Sequence, residues 1–298
     1  MSGQLKEVRE RIKSVKSTQQ ITKAMKMVSA AKLRKAQQAI VQMRPYADKL
    51  NSMLVNILSN LEGDADVTFS KTREIKKVAL IVVTSNKGLC GAFNTNVIKS
   101  AVNKINESYA DQYKLGNLDI IAIGKKGGEF FRKNYPKANI VNDHVALVTD
   151  LTFENIEAAA LSAMDKFEAG EYDRVDISYG RFRNAALQFP ETIQFLPVPK
   201  LQGTKEEGKE AKVDYIFEPG KIELLEELVP SILKTTVQKC VYDTHASEHG
   251  ARMTAMDNAT ENAEELLKEL KINYNKARQE AITKELSEIV GGAAALNA

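Results

Sequence analysis

The chain has 298 residues, 43% of them apolar and 27% charged, with a formal net charge of +3. That length permits two domains and a sizeable core, and the balance is that of an ordinary folded chain and not of a disordered one. No apolar run approaches the roughly 18 residues of a membrane span and no apolar signal segment follows the start, so neither insertion nor secretion is supported. The two cysteines, Cys90 and Cys240, lie far apart without CxxC spacing, which argues against a disulfide framework or a structural zinc site and for packing roles in a cytosol-like compartment.

A first helix is predicted from about Leu5 to Leu61, stopping at Gly63-Asp64. Its early apolar stripe runs Leu5, Val8, Ile12, Val15, shifts near Gln19 and continues as Ile21, Met25, Val28. From Leu33 the series Leu33, Ala36, Ile40, Met43, Ala47, Leu50, Leu54, Ile57, Leu61 steps by three or four, which is a coiled-coil seam. Pro45 removes one backbone hydrogen bond within it, so a bend near residues 41–45 is expected. Residues 1–50 hold 12 Lys/Arg against 3 Asp/Glu. An Arg-rich, acid-poor start also suits an organelle transit peptide, but the helical pattern runs into the seam without a processing break.

Residues 64–77 read as a polar linker, and Val78 to Thr84 as a strand buried on both faces. The pattern then alternates: a loop at 85–91, a helix at about 94–109, a strand at 118–123, a short helix around 129–134, a strand at 139–141, a helix at 153–168 and strands at 174–179 and 192–198. This is βαβ logic, with a sheet that turns mixed at its far edge. Residues 201–212 read as an exposed loop and 213–217 as a last short strand. A final helix begins near Lys221 and carries Pro230 in an early turn. It shows its own seam at Ala255, Ala259, Ala263, Leu267, Leu270, Tyr274, Ala277, Ala281. Residues 220–298 hold 9 Lys/Arg against 13 Asp/Glu, opposite in sign to the first helix, so the two termini are expected to pair. The expected fold is therefore α/β: a long antiparallel coiled coil of N- and C-terminal helices (1–63 and 220–298) around a central Rossmann-like α/β domain with a mixed sheet (64–219).

Five motifs invite chemistry. His245-Ala-Ser-Glu248-His249 fits an H-x-x-E-H zinc pattern, but a third ligand is missing from the pattern and the segment lies in a long helix, so a solvated helix face is expected. Residues 203–209 copy most of a phosphate-binding P-loop, but Glu210 stands where Ser or Thr must reach magnesium, and no apolar strand precedes it. The loops at Ser85 to Gly91 and Gly124 to Gly128 occupy positions where doubly wound sheets bind ligands, yet neither is a full dinucleotide fingerprint, and structural turns are expected. The basic stripe Lys23, Lys26, Lys32, Arg34, Lys35 lacks interleaved aromatics, which disfavours nucleic acid. A nucleotide-dependent enzyme using Gly88, Gly91 or Gly124 and a nucleic-acid-binding coiled coil are the alternative functions.

Ile21 to Ala36, with Met25-Lys-Met27 and Lys32-Leu-Arg34-Lys35, closely resembles the first-helix signature of the gamma subunit of the F-type ATP synthase. Ala251 to Ala263 resembles that family's mid-helix run, Ile282 to Ala293 its C-terminal signature, and Ser85 to Asn94 its loop after the first strand. The resemblance covers essentially the whole chain. It implies a non-catalytic central-stalk rotor of a proton-driven ATP synthase, which couples rotation of the membrane ring to conformational change in the alpha/beta ring and regulates ATPase activity and proton flow. The implied partners are the alpha and beta subunits, the epsilon subunit and the c-ring, with no cofactor, metal or nucleic acid. By motif position it implies partner contacts at Met25, Lys87, Arg252, Arg278, Gln279, Thr283 and Glu285, which meet the beta ring or the pairing helix. The absence of cysteine from 201–212 departs from chloroplast members and makes their kind of thiol regulation doubtful. The start at Met1-Ser-Gly-Gln-Leu resembles bacterial members, implying a peripheral place on the cytoplasmic side of the cell inner membrane.

Overall fold

A computed structural model of the chain describes residues 3–59, 68–198 and 220–296. Leu61, the P-loop-like run, the loop at 201–212 and the strand predicted at 213–217 lie outside those residues. The chain divides into two compact units, Met1–Ala30 with Arg252–Ala298, and Ala31–Ala251.

Helix α1 spans Gly3–Ser59 and is continuous through Pro45. The larger unit holds a five-stranded sheet in the order β3-β2-β1-β4-β5. Strand β1 is Val78–Val83, β2 Leu118–Ile123, β3 Asn139–Val141, β4 Arg174–Phe182 and β5 Gln188–Leu196. The first four run parallel, and β5 closes the edge antiparallel to β4. The helices between them are α2 (Phe93–Ser108), α3 (Ala110–Leu115), α4 (Lys125–Asn134) and α5 (Phe153–Glu168), with α6 (Lys221–Leu296) last.

Strand β1 is buried at all six positions because both faces of the sheet are covered. Val78, Leu80 and Val82 enter one core with Val97, Ala101 and Ile105 of α2 and Phe131 of α4. Ala79, Ile81 and Val83 enter the other, with Ala160, Met164 and Phe167 of α5 and Val229, Leu233 and Val237 of α6. Each Val, Leu, Ile, Met or Phe among these contributes about 1.5–3 kcal/mol by leaving water, and each alanine less. Two carboxylates are buried among the strands and both are satisfied. Asp176 accepts from the Tyr109 hydroxyl at 2.5 Å and from Arg174 Nε at 3.2 Å, while Asp119 accepts from Tyr172 at 2.9 Å with Lys77 at 3.4 Å. Burial and these carboxylates push both tyrosine hydroxyls far above their ordinary range.

Candidate functional site

In the smaller unit, three contacts fix how α1 meets α6. Arg9 Nη2 donates to the Tyr274 hydroxyl at 3.4 Å, the Thr22 and Thr260 hydroxyls lie 2.7 Å apart, and Lys26 Nζ reaches Asp257 Oδ1 at 2.5 Å. Early positions on α1 meet late positions on α6, so the helices are antiparallel. The buried face of α1 keeps one strict heptad pattern throughout: Leu5, Ile12, Gln19, Lys26 at one position and Val8, Val15, Thr22, Ser29 at the other, each buried or half-buried. The expected shift near Gln19 does not occur. Ile21 and Val28, predicted for the seam, are both 57% exposed, whereas Thr22 and Ser29 are buried. The apolar pattern misled there because the seam itself turns polar and is held by hydrogen bonds in place of methyl packing. On α6 the seam follows Met256, Ala263, Leu267, Leu270 and Ala277, as expected apart from Met256 being more buried than Ala255.

Beyond Ala281 no described side chain of α6 is buried. Ile282 is 47% exposed and Leu286 57%, and Ile289 and Val290 are exposed with them, which leaves an apolar stripe at helical spacing on the surface.

In the larger unit, the loop after β1 is tied to its own helix. Asn94 Nδ2 donates to Ser85 Oγ at 2.8 Å, Ser85 N–H donates to Asn94 Oδ1 at 3.0 Å, and Ser85 Oγ donates to the Lys87 carbonyl at 2.6 Å. At the tip of this rigid loop Leu89 takes φ of 59°, rare for a residue with a branched side chain, and is 65% exposed. The neighbouring Gly124 loop is closed by protein as well. The Gly127 N–H donates to Thr84 Oγ1 at 2.9 Å, and a Cβ on Gly124 would lie 2.0 Å from the Thr84 carbonyl oxygen. The crevice between the ends of β1 and β4, where a doubly wound sheet takes its ligand, is filled at Gly180 by the Phe93 ring, Thr244 and Ser247. Those glycines serve close packing.

The H-x-x-E-H segment is not the solvated face that its sequence suggests. Glu248 and His249 are buried, and the His245 and His249 ring nitrogens lie 3.1 Å apart. Here α6 packs against the β4–β5 hairpin, where a Cβ on Gly250 would lie 3.1 Å from the Ala185 carbonyl oxygen. No group of three or more metal-ligating side chains forms among the described residues.

A family model described as ATP synthase matches residues 4–296. The chain is 51% identical over 293 residues to the ATP synthase gamma chain of Cytophaga hutchinsonii, covering 98% of this chain and 99% of that one. The chain belongs to the ATP synthase gamma-chain family. The gamma chain of Flavobacterium psychrophilum is 53% identical over 292 residues, covering 98% of each. Among solved structures, a chain of the Euglena gracilis mitochondrial ATP synthase (OSCP/F1/c-ring, rotational state 3) superposes with a TM-score of 0.66 at 24% identity, over 99% of this chain and 95% of that one. That likeness bears out the fold: long terminal helices around a mixed sheet.

The seven positions carried over from the gamma-chain signatures are not alike. Met25 is half-buried on the flank of the seam, and Arg252 is buried and engaged. Arg278, Gln279, Thr283 and Glu285 are all exposed near the end of α6 and share that segment with the apolar stripe. Lys87 is exposed on the loop after β1, in the other unit. Sequence reading passed over Leu89, whose signal was positional: a large apolar residue between glycines in a turn. It also passed over Ile282, Leu286 and Ile289, whose three-to-four spacing continues past the seam but on a different face.

Proposed function

We propose that this gamma-family chain is the central-stalk rotor of a proton-driven F-type ATP synthase, transmitting rotation of a membrane ring to an alpha/beta catalytic ring. The carrying observation is the antiparallel pairing of residues 5–29 with residues 256–281 in a chain whose family match runs almost end to end. A rotor does chemistry nowhere itself. It acts by contacting equivalent catalytic subunits unequally, so that each is held in a different state by differential contact energy.

In this reading 1–63 and 220–298 form the shaft and 64–219 the domain that meets the c-ring and epsilon subunit. Met25, Arg252, Arg278, Gln279, Thr283 and Glu285 contact the beta subunits or the pairing helix, and Lys87 with Leu89 presents the loop after β1 to a beta subunit. No described helix is long and apolar enough to cross a membrane. Attachment to the cytoplasmic face of the inner membrane then runs through the partners, and the chain regulates ATPase activity and proton flow by its angular position.

Reconstitution tests this. A complete alpha/beta ring with the chain is expected to turn over ATP faster than the ring alone, and no gain would overturn the assignment. Met25→Lys, which places a cation beside the beta contact, is expected to lower proton pumping per ATP hydrolysed in inverted vesicles while leaving helix content unchanged.

A further inference from the structure

Between the second half of α1, the β4–β5 hairpin and α6, all within residues 31–251, lies a cavity of about 300 Å³. That volume is at the lower end of small-molecule sites. Its wall is apolar at Ile40, Met43, Leu50, Ile193 and Ile232, and its rim carries Arg44, Arg181 and Lys239. Asp243 also lines it. This carboxyl is 6% exposed and makes no hydrogen bond or ion pair with any described residue, and its oxygens are not sealed by protein. Its oxygens open into the cavity, so a hydrogen-bonding group that enters there can take the place of water at this carboxyl. Arg44 and Lys239 act on Asp243 electrostatically, but neither comes within ion-pairing distance of it or of any other described residue. The gap between two rim cations and one inner carboxyl suits a group that pairs with the cations and hydrogen-bonds the carboxyl. The apolar wall requires a hydrocarbon body behind that group.

We propose that this cavity binds an amphipathic monocarboxylate, its carboxylate held between Arg44, Lys239 and the Asp243 carboxyl and its body lying against Ile40, Met43 and Ile232. Two carboxyl groups side by side share one proton, so binding takes up a proton at Asp243. Burial already raises that group from 3.8 to about 6 against the lowering effect of Lys239, Arg44 and Arg181. The other charged groups facing it are Arg44 and Asp48 on α1, Lys239 on α6, and Arg181 and Glu191, which pair at 3.3 Å. The Tyr179 hydroxyl, which donates to Glu191 at 3.0 Å, and the buried Cys240 thiol are both pushed upward and stay neutral. Affinity is therefore expected to rise as pH falls towards 6. Occupancy would tie α1 to α6 and β4 within this unit.

The chain contains no tryptophan, so Phe182→Trp places a single fluorescent reporter in the cavity wall. Titrating the full chain with octanoate is expected to give a saturable change, about tenfold tighter near pH 6 than near pH 8. Calorimetry on the unsubstituted chain should give the same affinity. Asp243→Asn is expected to keep binding and lose the pH dependence. Arg44→Gln with Lys239→Gln, both at the exposed rim, should weaken it about tenfold. Ala47→Phe, which fills the cavity, should abolish it. No saturable binding at either pH, undiminished binding in Ala47→Phe or in the double rim variant, or pH dependence surviving in Asp243→Asn would each overturn the proposal.

Discussion

Gly124 shows how much one absent side chain contributes. Its φ of 100° is closed to most residues, and an added Cβ would lie 2.0 Å from the Thr84 carbonyl oxygen. Neither obstacle is the far end of a flexible group, so Gly124→Ala is expected to cost about 3 kcal/mol or more in urea unfolding. Asp243 gives the second residue-level expectation. A carboxyl whose folded pKa is raised binds its proton more tightly when folded, so its contribution to stability falls as pH rises from about 4 to about 6 and is fully lost above that. Asp243→Asn is therefore expected to stabilise the chain at pH 8 by up to about 3 kcal/mol and to have little effect near pH 4, read as the difference between paired unfolding curves. Neither fact was legible in the sequence. A glycine before a helix reads as a turn, and an aspartate in a helix reads as solvated, because the neighbour that decides the matter arrives from elsewhere in the chain.

Elements were legible wherever one face was uniformly apolar. The helix at 153–168 and the strands at 118–123 and 139–141 lie where periodicity placed them. Strand β5 begins at Gln188 and not near 192, because Pro190 reads as a break although an edge strand tolerates it. Helix α4 begins at Lys125, four residues early, because Gly127 and Gly128 argue against helix while the close approach of Thr84 and Asn142 requires them. The polar stretch of the α1 seam was the largest failure, since hydropathy cannot mark a face made of Gln19, Thr22, Lys26 and Ser29. The corrected phase makes opposite predictions for adjacent residues. Val28→Ser is expected to change the melting of the isolated chain by no more than about 0.5 kcal/mol, whereas Ser29→Leu, which forces bulk into a buried site, should cost about 1–3 kcal/mol.

At the scale of the molecule, the α/β middle with helical ends was readable from the change of period, and family membership from four ordered signatures. The filled ligand crevice was not readable, because its plug comes from Phe93 and from α6, well over a hundred residues apart. The two units should also differ in opening. Amides of β1, β2 and β4, covered on both faces, are expected to exchange hydrogen most slowly, and those of 282–293, where no described side chain is buried, fastest. Mass-resolved exchange would read both, and equal protection would contradict the division. The unbroken seven-residue repeat of α1 has a mechanical corollary. Seven residues fall about 20° short of two full helical turns, so the paired strands coil about each other with a left-handed sense. A coil of one hand tightens under torque in one direction and slackens in the other, so the pair is a spring whose stiffness depends on which way it is turned.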